Sequence, residues 1–166
     1  MVKNNMETYT FKSSTGLMLT PEDVVREVIT FMEADPTRTY KVIIGTDSEQ
    51  LRDAKADFVT AIVVHRVGNG GRYFWRRVNG KTFHTLRDRI IHEVVLSLEV
   101  AQIFLKKLRR VESPADWSFE IHADIGMNGP TSELIQEVVG MIRAYNFKAL
   151  VKPESYVASK VADRHI

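Results

Sequence analysis

Apolar and polar positions follow two rhythms along this chain, one of strands and one of helices. Val42-Ile43-Ile44, led in by Tyr40 and Lys41, is a β-branched run that predicts a strand buried on both faces. Gly45-Thr46-Asp47-Ser48 follows, so a lone carboxylate stands where a buried strand should meet solvent. Upstream, Thr20-Pro21-Glu22-Asp23 predicts a helix start, with a capping hydroxyl, a proline suited to the first helical position and two acids facing the positive end of the dipole. Val24, Val28, Phe31 and Met32, with Val25 and Ile29 beside them, form its apolar face, and Asp35-Pro36-Thr37 ends it.

Downstream, Phe58–Val67 and Arg72–Val78 flank Gly68-Asn69-Gly70-Gly71, which predicts a hairpin. Its second strand is polar and aromatic by turns, as expected of an edge strand with one wet face. Apolar residues at helical spacing then predict a long helix from about His84 to Arg110. Phe119-Glu120-Ile121-His122-Ala123-Asp124-Ile125-Gly126 repeats the form of the first strand, ending in an aspartate beside a glycine. A helix opening at Gly129-Pro130-Thr131-Ser132-Glu133, a short strand at 147–151, a turn at 152–155 and a last helix at 156–165 complete the order. Residues 1–19 are polar and mixed, with Tyr9, Phe11, Leu17 and Met18 as anchors, and read as an N-terminal arm or a short extra strand; residues 20–166 read as one domain.

This order implies an α/β fold with a mixed five-stranded sheet. The first three strands run antiparallel, the fourth and fifth parallel to the first, with helices on both faces and an extra N-terminal helix. If the fourth strand flanks the first, Asp47 and Asp124 meet at the carboxyl edge, where open α/β sheets place their sites.

Two adjacent acids repel unless something positive joins them. A hard divalent cation, Mg²⁺ or Mn²⁺, is the simplest joiner; the alternative is that each aspartate caps a turn. On the long helix Glu93 falls on the apolar arc with Leu86, Val100 and Phe104, whereas Glu99 falls with Asp88 and Lys106 on the solvated side. A carboxylate on a core-facing arc needs a metal or a partner, Arg89 or His92, to offset its desolvation. Asp163 lies near the end of the last helix, where the dipole disfavours an acid, which marks it for function or for pairing with Lys160 or Arg164. Strand alternation puts His122 on the same face as Asp124, as a structural donor or an auxiliary imidazole; His165, near Asp163, is a second auxiliary candidate.

Composition changes this picture little. The net charge of +2 permits a nucleic-acid partner without demanding one. Cysteine is absent, so a metal must be held by oxygen or imidazole. There is no membrane-length apolar run and no signal-like start, so a cytoplasmic location is expected. A basic stretch interleaved with aromatics, Arg72, Trp75, Arg76 and Arg77, suits a phosphate backbone with stacked bases; charge protection of an edge strand explains it equally well.

The order of elements, with acids on the first strand, the long helix, the fourth strand and the last helix, resembles the ribonuclease H-like superfamily. Over about residues 20–166, IGTDS, HADIGMNGPT and KPESYVASKVADRH resemble more narrowly the bacterial YkuK-like family within it. The resemblance implies that Asp47, Glu93, Asp124 and Asp163 hold up to two Mg²⁺ or Mn²⁺ ions for phosphodiester hydrolysis of RNA or DNA. Glu93 departs from the pattern by sitting well inside its helix. Two other readings compete: a non-catalytic nucleic-acid-binding or interaction module on the same fold, and an actin-like phosphate loop at Asp124–Gly129.

Overall fold

The computed structural model describes residues 9–113, 115–155, 160–162 and 164–165. Their strands are β1 (Phe11–Ser13), β2 (Met18–Leu19), β3 (Tyr40–Gln50), β4 (Lys55–Arg66), β5 (Gly71–Thr82), β6 (Trp117–His122) and β7 (Lys148–Leu150). The helices are α1 (Pro21–Glu33), α2 (Leu86–Leu108) and α3 (Ile135–Ala144), the last entered through a 3₁₀ turn at Ser132–Leu134.

β3 lies inside the sheet, antiparallel to β4 and parallel to β6, which explains its continuous apolar run. β5 pairs antiparallel with β4, and β7 runs parallel to β6. Among the described residues the sheet has seven strands, in the order β2-β1-β5-β4-β3-β6-β7, in place of the five expected. The additional two come from the N-terminal segment: β1 pairs with β2 and lays Lys12 and Ser13 against Trp75 and Phe74. β5 is therefore not the edge that its wet face suggested. Phe11 and Leu19, both buried, attach the segment to the core.

Side chains alternate across β3 and β4 and divide the interior. Val42, Ile44, Ile62 and Val64 face α1, α2 and α3 in the main core. Ile43 and Val63, and Val59 and Ala61, turn to the opposite face, where Val161 and Ala162 cover them. Burying one such aliphatic side chain contributes roughly 1.5–3 kcal/mol, so this alternation fixes the register strongly. α1 begins as expected: Thr20 Oγ1 accepts from Asp23 N at 3.1 Å, and Asp23 Oδ2 accepts from Thr20 N at 3.0 Å. Thr85 caps α2, its side chain accepting from Asp88 N at 3.0 Å.

Candidate active site

β3 and β6 are parallel and in register up to the pair Gly45 and His122. Asp47 and Asp124 each lie two residues beyond that pair, so the topology delivers both to the carboxyl end of the sheet. Both are half-buried. Asp47 Oδ1 accepts a hydrogen bond from Ser48 N at 2.9 Å. Ser48 occupies the next position on the pleat, and its hydroxyl donates to Glu93 Oε1 on α2.

Glu93 is only 6% exposed. Burial pushes its carboxyl group up to about 8, and the negative charges of Asp47 and Asp124 push in the same direction. The Ser48 hydrogen bond and the Arg89 charge oppose that shift without cancelling it. Glu93 therefore feels the charge of both aspartates. Glu99, by contrast, is exposed, with Tyr9 Oη donating to its Oε2 at 3.2 Å.

One helical turn beyond Glu93, Ser97 Oγ is 2.7 Å from Thr46 Oγ1, which is 2.8 Å from Thr60 Oγ1. This buried hydroxyl chain ties α2 to β3 and β4 just behind the acids. Each hydroxyl satisfies another, so the polar cluster sits in the core at little cost. Glu93, Ser97, Thr46 and Asp124 line one narrow cleft.

On the outer side, Lys152 Nζ stands 3.0 Å from Asp124 Oδ1. Ser48, Thr46, Ser97 and Lys152 were not among the residues that the sequence singled out. Ser48 carried a signal, since it follows Asp47 and must face the other way along a strand. Lys152 carried none, because only the parallel placement of β7 beside β6 brings it to Asp124.

Among the described residues, no three carboxylate or imidazole side chains cluster closely enough to be recognised as a metal site. Asp163 lies outside the described residues. The donor chemistry nevertheless suits a hard divalent cation. It consists of carboxylates and a serine hydroxyl, with one acid driven towards protonation by its surroundings, a condition that added positive charge would relieve.

The two histidines have different surroundings. β6 ends at His122, which lines the same narrow cleft as Asp124. His122 is buried, with Nε2 3.0 Å from Glu120 Oε1; burial is the main cause of its lowered pKa. His165 stacks on Trp75 at 4.2 Å between ring centroids, and burial lowers its pKa too.

The basic stretch on β5 is not one patch. Trp75 and Arg77 lie on the face covered by His165, whose carbonyl accepts from Arg77 Nη1 at 3.4 Å. Arg77 Nη2 also donates to Asp57 Oδ2 at 2.6 Å, and this bond is the leading cause of the lowered Asp57 pKa. Arg72 and Arg76 point to the opposite face. Arg72 lies over the Phe31 ring at 4.8 Å, and Arg76 over the Tyr9 ring at 4.1 Å.

A family model described as ribonuclease H-like matches residues 23–166. The chain is 34% identical over 171 residues to the uncharacterized protein YkuK of Bacillus subtilis (strain 168), an alignment covering 95% of this chain and 97% of that protein. Among solved structures, the Mos1 transposase catalytic domain, determined with raltegravir and Mg, superposes over 86% of this chain and 63% of its own, at a TM-score of 0.29 and 8% identity. That likeness is too low to bear on the site. No helix among the described residues is long and apolar enough to cross a membrane. With a family match over most of its length and a near full-length likeness to YkuK, the chain belongs to the ribonuclease H-like family, in its YkuK-like branch.

Proposed function

We propose that this protein is a metal-dependent nuclease that hydrolyses phosphodiester bonds of RNA or DNA. One observation carries the reading: the buried Glu93 carboxyl group, pushed up by burial and by the charges of Asp47 and Asp124, lies with those two acids at the carboxyl end of β3 and β6. Asp47 and Asp124 would hold the cation as carboxylates. Glu93 would join them once the cation favours its ionised form, and Ser48 keeps its carboxyl group turned towards the cleft. By family likeness Asp163 is the fourth ligand. Mg²⁺ or Mn²⁺, when bound, supplies Lewis acidity that activates water and stabilises the leaving oxygen.

A second reading, the non-catalytic nucleic-acid-binding or interaction module, is favoured by the Lys152 ammonium, which already neutralises Asp124. The test is a crystal structure from Mn²⁺-soaked crystals, followed by a cleavage screen on RNA, DNA and hybrid oligonucleotides. Anomalous peaks at Asp47 and Asp124 with cleavage that Asp124→Asn abolishes would support the nuclease. Carboxylates that stay bonded to Lys152 and backbone amides, with no cleavage, would favour the module.

A further inference from the structure

Lys152 follows β7 and is held at two points. Its backbone N–H donates to Ile125 O at 2.8 Å, and its Nζ stands 3.0 Å from Asp124 Oδ1. Between these points its aliphatic stem crosses Gly126. A Cβ built on Gly126 would lie 3.0 Å from Lys152 Cβ and 3.5 Å from Cδ. Gly126 is not among the glycines with positive φ, so the glycine here provides space for the lysine stem and not an unusual backbone conformation. The loop is thus shaped to lay this side chain along Asp124.

The pair contributes little to stability. Lys152 is 57% exposed and Asp124 31%, and ion pairs so open to water contribute at most about 1 kcal/mol. A contact that is shaped by its surroundings, weak and solvent-facing is easily exchanged. Its partner is one of the acids assigned to the cation.

We propose that Lys152 is a built-in counter-ion that competes with the divalent cation for Asp124 and so sets the affinity of the site. The inference rests on the metal-binding reading above. In the metal-free protein the ammonium neutralises Asp124; on cation binding it swings into solvent while the backbone anchor at Ile125 stays in place.

The test is Mn²⁺ titration calorimetry at low ionic strength on wild type, Lys152→Met, Lys152→Arg and Lys148→Met. Lys152→Met keeps most of the stem and removes the charge. It should bind Mn²⁺ about two- to five-fold more tightly, the equivalent of an exposed ion pair. Lys152→Arg should stay near wild type. Lys148→Met removes a neighbouring exposed charge that faces Glu120 at 3.9 Å, and should leave the affinity unchanged. In an Asp124→Asn background, the gain from Lys152→Met should vanish. Equal or weaker Mn²⁺ binding by Lys152→Met, or an equal gain from Lys148→Met, overturns the inference while the metal site stands. If neither wild type nor Lys152→Met binds Mn²⁺, the metal-binding reading itself fails and takes the inference with it.

Discussion

Two regions of this molecule concentrate charge, and the fold treats them in opposite ways. On β5 the arginines are dispersed over both faces of the sheet, each set against a ring or a carboxylate. At the carboxyl end of β3 and β6 the acids are gathered, and Glu93 is held near neutrality by burial and by its acidic neighbours. The difference lies in direction. Neighbours along one strand point alternately to opposite faces, so a dense run in sequence scatters in space. Acids far apart in sequence converge when parallel strands end together and a helix crosses behind them.

The contrast breaks most severely at the acids. Asp47→Asn and Asp124→Asn should each weaken Mn²⁺ binding by at least the ~10–100-fold that changes around a metal site cost, and reduce cleavage to background. Calorimetry and an oligonucleotide assay check both. An unchanged affinity would return these aspartates to turn capping.

Glu93→Gln should act in two directions. A carboxyl group whose pKa rises from 4.5 to about 8 on folding takes up a proton as the chain folds. Metal-free wild type is therefore most stable below about pH 4.5 in this respect, and loses that stability as pH rises through 8. Glutamine removes the titration. In EDTA the variant should exceed wild type above pH 8 by roughly a few kcal/mol, while binding Mn²⁺ more weakly. Urea unfolding at several pH values reads the first effect, and calorimetry the second.

On β5 the largest effect should come from Arg77→Ala, which takes the guanidinium from the Asp57 carboxylate while the Gly80 N–H bond stays, and should cost about 1–3 kcal/mol of stability. The depressed Asp57 pKa means that the pair stabilises the fold above about pH 3.8 and ceases to as pH falls below it. The penalty of Arg77→Ala should therefore shrink in acid. Smallest of all, Arg72→Ala and Arg76→Ala should each cost about 0.5–1 kcal/mol through lost ring contacts. If either lowered nucleic-acid affinity strongly while stability held, the basic strand would be a substrate surface after all.

Much of this was legible in the residues themselves. The Val42–Ile44 run, the glycine turn at 68–71 and the Thr20 cap are local signals, because strand burial, hairpin reversal and helix capping depend on neighbouring residues. Glu93 and Glu99 could be separated by helical periodicity alone, and one is buried and the other exposed. Tertiary structure alone decided that the N-terminal segment adds β1 and β2, since so short a pair has no stability until β5 offers its edge. Ser48 meeting Glu93 and Lys152 meeting Asp124 belong to the same class. Periodicity within an element says which way a side chain points, but what it meets there depends on which elements pack alongside.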